Sequence, residues 1–262
     1  MIKLIASDMD GTLLDENGML NKEFFTIFNE LCKKNINFVV ASGRQYFNLA
    51  ENFKSIKDNM IFICENGTFV IHKDEELYSN VIDKNCVHEL IKDGRSIPQC
   101  EVVLCGKKSA YIEKSYHKFI KEVEKYYDKY TIVDDLTKVE DDILKVTICD
   151  FLESIKNSNN ILAPKWGHCL HVAVSAKIWL DINNKDANKG VALEYIQEKL
   201  NVSSNETMIF GDYYNDIEMM KKGYYSFAMA NAPEDIKSHC RFTTSKTNRE
   251  NGVIEEIKSR IF

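Results

Sequence analysis

Five positions carry groups that could do chemistry together: Asp8, Asp10, Ser42, Lys189 and Asp212. The first two lie in Ser7-Asp8-Met9-Asp10-Gly11-Thr12, directly after the apolar run Ile2, Leu4, Ile5 and Ala6. In extended backbone, side chains alternate with a period of two, so Asp8 and Asp10 are expected to point to the same side. Gly11 lets the chain turn away, leaving both acids facing one small volume. Two carboxylates that close repel, and one is driven toward its neutral form unless a cation intervenes. With a divalent cation, Asp8 can stay ionised as ligand or nucleophile while Asp10 holds a proton to donate, a division of labour common in hydrolysis. The plainer reading is a solvated turn, because Asp and Gly are ordinary turn residues.

The other positions repeat the same arrangement of a strand end followed by polar groups. Asn37-Phe38-Val39-Val40-Ala41 reads as a buried strand that ends in Ser42-Gly43-Arg44, a corner that presents a hydroxyl and free N–H groups to an anion or merely caps a helix. Arg44 is left outside the catalytic set. Thr207–Phe210 is a further core strand, ending in Gly211-Asp212-Tyr213-Tyr214-Asn215-Asp216. Hard cations such as Mg²⁺ take carboxylate oxygens, and these acids are suited to complete a site begun by Asp8. The plainer reading of Asn215 and Asp216 is helix capping, which is compatible with that role. Lys189 opens a helix whose apolar face carries Val191, Leu193, Ile196 and Leu200. A lysine in a first turn opposes the helix dipole, so a nearby anion would explain it, although a solvated lysine is the default.

These side chains are positioned by apolar strands that alternate with amphipathic helices, which predicts an α/β fold with a parallel sheet. Ligands of such sheets bind beyond the carboxyl ends of the strands, where all the motifs fall. Asn21 caps a helix to about Lys34 with the stripe Phe24, Phe25, Ile27, Phe28, Leu31 and Cys32. Met60–Cys64 is a third core strand, and Phe69–Ile71 with Leu77-Tyr78 form a hairpin. Near Asp83 the pattern changes. From there to Asn184, short helices alternate with strands at Glu101–Leu104, Leu144–Cys149, His171–Ser175 and Ile178–Ile182, the last two an antiparallel pair, while Glu153–Asn160 reads as a surface loop. The expected organisation is a core of residues 1–82 and 185–262 interrupted by a separate α/β unit of residues 83–184.

Composition narrows the function classes. The 262 residues are 44% hydrophobic and 28% charged, as expected for a globular protein with sizeable cores. A formal net charge of −6 disfavours general binding to nucleic acid or anionic membranes. No apolar run approaches a membrane span and no signal-peptide pattern is apparent, so a cytoplasmic protein is expected, with no obligate protein partner evident. Eight cysteines without a CxxC spacing read as buried free thiols of a reducing compartment.

In chain order, DMDGT, the hydroxyl of Ser42, the helix-start Lys189 and GDxxND resemble the motifs of haloacid dehalogenase-type phosphatases. The inserted unit between the second and third motifs resembles the Cof-type branch, with its large α/β cap. Asn66-Gly67, Lys189-Gly190, Gly211-Asp212, Asn231-Ala232 and Gly252-Val253 stand where that branch has similar pairs. Ser42 replaces the commoner threonine, and Ala230 stands where glycine is usual.

The resemblance implies a Rossmann-like core and a cap that selects the substrate, a small phosphorylated metabolite, with sugar phosphates foremost. It further implies Asp8 as the nucleophile that forms an aspartyl-phosphate and Asp10 as general acid and base. Thr12, Ser42 and Lys189 would bind the phosphoryl group. Mg²⁺ would be held by Asp8, the backbone carbonyl of Asp10, and Asp212, supported by Asn215 and Asp216. A phosphomutase shares the acid pair and is the nearest alternative. A phospho-acceptor protein would need neither Asp10 nor the inserted unit, and a DxD glycosyltransferase would leave Lys189 unexplained.

Overall fold

The computed structural model describes residues 1–262 and divides into two compact units, Met1–Tyr78 with Asn188–Phe262, and Ser79–Ala187. The first is built on an eight-stranded sheet. Its strands lie in the spatial order Phe242–Thr243, Tyr225–Ala228, Thr207–Gly211, Leu4–Asp8, Asn37–Ala41, Ile61–Cys64, Phe69–His72 and Glu75–Ser79. The first six pair in parallel, and Phe69–His72 runs antiparallel to its neighbour.

Burial explains the continuous apolar runs. The central strand Leu4–Asp8 is buried along its whole length, as a parallel strand covered on both faces must be. On one face Leu4, Ala6, Val39 and Ile209 join Ala192, Leu193 and Ile196 of the helix Lys189–Leu200. On the other, Phe24 of the helix Glu23–Lys33 meets Phe38 edge-to-face at 5.1 Å between ring centroids, and also Phe53 at 5.8 Å. Of the expected stripe, Phe24, Ile27, Phe28 and Leu31 are buried, whereas Phe25 and Cys32 are not. Those two lie seven residues apart, on one edge of the helix face that the other four define.

Register levels the functional strand ends. Asp8 pairs with Ala41, and Ser7 with Phe210, so Asp8, Ser42 and Asp212 all emerge at one edge of the sheet.

The second unit has a six-stranded sheet in the order Leu170–Ala176, Trp179–Asn184, Ile143–Asp150, Cys100–Gly106, Ala110–Ile112 and Tyr130–Ile132. All its pairings are antiparallel except the last. The surface loop expected over 153–160 is shorter than that, because a helix runs from Ser158 to Trp166. Its start is fixed at a distance in sequence: the fully buried Asp150 carboxylate accepts the Ser158 N–H at 2.8 Å and the Leu152 N–H at 2.9 Å. No helix is long and apolar enough to cross a membrane. All eight cysteines are unpaired; Cys64, Cys100, Cys105 and Cys149 are buried, but Cys32 and Cys169 are exposed.

Candidate active site

Asp8 is the last residue of the central strand, and its side chain is 8% exposed. The chain then reverses through Met9–Leu13, closed by the Leu14 N–H on the Met9 carbonyl at 2.9 Å. Gly11 makes this possible. Its φ is +79°, and a Cβ there would stand 2.2 Å from Asp212 Oδ2. Both the dihedral and the approach of Asp212 therefore require glycine. Beside it the Thr12 hydroxyl donates to Asp212 Oδ1 at 3.0 Å. The loop is braced from outside: Asn231 Nδ2 donates to the Gly11 carbonyl at 2.8 Å, and Asn231 Oδ1 accepts the Asn248 N–H at 3.0 Å.

Lys189 is the first residue of its helix, capped by Asn188, whose Oδ1 accepts the Val191 N–H at 2.9 Å. Lys189 is completely buried, so the solvated lysine that is the default for this residue type does not apply. Its Nζ donates to Asp8 Oδ1 at 2.5 Å and to Asp216 Oδ1 at 2.7 Å. Asp216 Oδ2 in turn accepts the N–H groups of Asp212 and Tyr213, at 3.0 and 3.1 Å. Asp216 thus orients Lys189 and the Asp212 loop together.

The Asp8, Asp212 and Asp216 carboxylates each place an oxygen within 4.8 Å of the others. Three carboxylates against one ammonium leave two negative charges uncompensated. The proton affinities of these groups follow from that deficit. Burial, then the Asp216 charge, pushes Asp8 well above the usual carboxylate range despite the opposing Lys189 ammonium. The same two causes push Asp212 up to about 6. Burial alone would lower Lys189, but the Asp216 and Asp8 charges outweigh it and hold the ammonium above its ordinary value. A divalent cation would bring the sum of charges to zero, and an all-oxygen donor set suits a hard ion such as Mg²⁺.

The remaining sequence-selected residues lie farther out. Asp10 does not share the buried volume of Asp8. Its side chain is 55% exposed, and Arg44 grips it through Nη2 at 2.5 Å and Nε at 2.9 Å. Strand alternation stops at Asp8, and the turn that Gly11 allows swings Asp10 outward. Ser42 is buried, and its Oγ accepts the Arg44 N–H at 3.2 Å. Asn215 reaches none of the acids; its Nδ2 donates to Asn66 Oδ1 at 3.1 Å. Asp212, Thr12, Asp8, Lys189 and Asp216 therefore form one contiguous cluster, with Asp10, Ser42 and Asn215 around it.

Two positions outside the sequence-selected set matter here. Arg44 is one. The other is Glu65-Asn66-Gly67, three successive left-handed residues with φ of +48°, +56° and +99°. The Asn66 N–H donates to the Ser42 carbonyl at 3.0 Å, and Gly67 packs on the backbone of Asn188 and Lys189. The Asn-Gly pair was visible in the sequence; its role as a spacer between two motifs was not.

The pattern of haloacid dehalogenase-like hydrolases matches residues 5–257. The chain belongs to that family. It is 31% identical to the 5-amino-6-(5-phospho-D-ribitylamino)uracil phosphatase of Escherichia coli K12, over 98% of this chain and 95% of the relative. A solved Eubacterium rectale structure shares 29% identity at a TM-score of 0.90, covering 98% of each chain. A Bacteroides thetaiotaomicron haloacid dehalogenase-like hydrolase shares 25% identity at a TM-score of 0.88 over the full length of both. This hydrolase is a phosphomonoesterase, with a core sheet and inserted unit of the kind its motifs implied.

Proposed function

We propose that this phosphatase hydrolyses monoesters of small metabolites, sugar phosphates foremost, through an aspartyl-phosphate on Asp8 and with Mg²⁺ as cofactor. The observation that carries the reading is the buried cluster of three carboxylates and one lysine at the end of the central strand. Asp8 and Asp212 would supply side-chain oxygens for the metal, and the Asp10 carbonyl would complete the set. Asp216 is a support, since its oxygens already accept from Lys189 and two backbone N–H groups. Bound there, Mg²⁺ supplies positive charge to the transferring phosphoryl oxygens.

Asp8 attacks phosphorus in line with the departing oxygen, and Asp10 donates its proton to that oxygen as the ester bond breaks. Asp10 then takes a proton from water, whose oxygen attacks the phosphorus of the aspartyl-phosphate, releasing inorganic phosphate and restoring Asp8. Lys189 has three ammonium donors, two of them engaged with carboxylates, so the third is available to a phosphoryl oxygen. The Ser42 hydroxyl serves the same group, and the single Thr12 O–H can join it only by releasing its bond to Asp212 Oδ1. Phosphoryl transfer depends chiefly on such positioning and charge.

The sugar-phosphate preference draws on the phosphoribityl group in the name of the E. coli relative. Residues 79–187 act as the cap that selects the ester, and the unpaired cysteines accord with the cytoplasm. The test is phosphate release from a panel of metabolite monoesters. One phosphate per ester consumed, abolished by excess EDTA and restored by Mg²⁺, is the expected result. Isomerised ester without free phosphate would point to the phosphomutase instead, and undiminished turnover in EDTA would remove the metal.

A further inference from the structure

Arg44 has no part in the reaction as described, yet its guanidinium makes three hydrogen bonds, two of them to Asp10. Its planar guanidinium meets the Asp10 carboxylate with two hydrogen bonds, Nη2 to Oδ1 at 2.5 Å and Nε to Oδ2 at 2.9 Å. A fork of this kind fixes the plane of a carboxylate as well as its position, which a point charge cannot do. The fork is held in its turn. Nη1 donates to Asn48 Oδ1 at 2.9 Å, the Arg44 N–H donates to Ser42 Oγ at 3.2 Å, and the Arg44 carbonyl accepts the Glu65 N–H at 3.1 Å.

Stability does not account for this arrangement. Side-chain exposures of 33% for Arg44 and 55% for Asp10 describe a pair that water screens, and such pairs add little to folding. What the arrangement fixes is the direction of the Asp10 carboxylate. Asp10 stands on the loop turned by Gly11, and both recorded hydrogen bonds to its carboxylate come from Arg44. Ser42, on the same short segment as Arg44, ties this direction to the strand end where the phosphoryl group is to be held.

We propose that Arg44 is a positioning residue for leaving-group protonation: its guanidinium fork orients Asp10 toward the ester oxygen. The inference rests on reading Asp10 as general acid and base. When Asp10 carries its proton it gives up one of the two bonds, and the other keeps the carboxyl directed. As the Asp8 oxygen bonds to phosphorus, the bond from phosphorus to the ester oxygen breaks and the Asp10 proton passes to that oxygen. Lysine can match the charge of Arg44 but not the fork.

The experiment compares kcat/KM for p-nitrophenyl phosphate, whose leaving group needs little protonation, with kcat/KM for the most active alkyl monoester of the panel. The variants are Arg44→Met, Arg44→Lys, Asp10→Asn and the double variant Arg44→Met with Asp10→Asn, all with Mg²⁺. General acid catalysis is worth about 10²–10⁴-fold, so Arg44→Met should cost the alkyl ester at least about tenfold more than the aryl ester. Asp10→Asn should show the same selectivity, the double variant should be no worse than Asp10→Asn, and lysine should not restore the loss. Equal losses on both esters, additive losses in the double variant, or full rescue by lysine would each overturn the proposal. A weakened competitive inhibition by inorganic phosphate in Arg44→Met would also overturn it, because Arg44 would then be a phosphate ligand. Should Asp10→Asn itself lack selectivity, the acid–base reading fails; selectivity in Asp10→Asn but not in Arg44→Met removes Arg44 alone.

Discussion

A buried lysine between two aspartates is a costly thing to fold, and Lys189 shows what that cost secures. Its ammonium, fully removed from water, is opposed by Asp8 at 2.5 Å and Asp216 at 2.7 Å. Breaking such a pair from one side leaves buried charge without a partner, typically about 3–5 kcal/mol. Lys189→Met, similar in shape but uncharged, is therefore expected to lose about that much stability and nearly all phosphatase activity. Denaturant titration and a phosphate-release assay check both, and a variant as stable as the parent would show that the pair is not what holds the strand end in place. The acids and their spacing were legible from residue types alone. The burial of Lys189 was not, because a helix-start lysine is ordinarily solvated, and nothing short of the fold shows Asp8 and Asp216 converging on it. Arg44 stayed outside the set for a similar reason: two positions beyond Ser42 it reads as a phosphate contact or a surface charge, and its fork on Asp10 exists only because the chain swings Asp10 outward.

At the scale of elements, the site depends on how loops at one sheet edge are spaced. The parallel register that sets Asp8 opposite Ala41 brings the strand ends level, and the left-handed run Glu65-Asn66-Gly67 spaces the Ser42 corner from the helix that begins at Lys189. A Cβ on Gly67 would stand 2.2 Å from the Asn188 carbonyl oxygen and 2.7 Å from the Lys189 nitrogen, backbone atoms that cannot turn aside. Gly67→Ala is expected to destabilise by about 1–3 kcal/mol and to lower kcat/KM by displacing Lys189. Gly18→Ala is the control, since Gly18 has a comparable φ of +72° but nothing near its Cβ position. Thermal melts and assays of the two variants side by side give the answer; equal behaviour would mean that strain, not the approach of Gly67 to the helix, governs the loss. The core strands were readable because buried parallel strands are continuous apolar runs, and Asn37–Ala41 matches its expected bounds. The helix Ser158–Trp166 was not readable. It begins on a carboxylate eight residues earlier, and it carries Pro164, which argues locally against a helix.

For the molecule as a whole, composition excluded more than it identified. A net charge of −6 says nothing of a phosphate substrate once the local charge deficit around Asp8 is met by a cation. The motif order carried the family, which the match over residues 5–257 then established. In residues 79–187, the proposed cap, the pattern of short strands shows a sheet but not a ligand. In the proposed reaction the phosphoryl group passes through Asp8. The direct measurement is acid quenching during turnover of a substrate labelled in its phosphoryl group, followed by mapping of the labelled peptide. Label on the peptide carrying Asp8, absent in EDTA and absent from Asp8→Asn, is the predicted result. Label on any other residue, or turnover by Asp8→Asn at the parental rate, would contradict it.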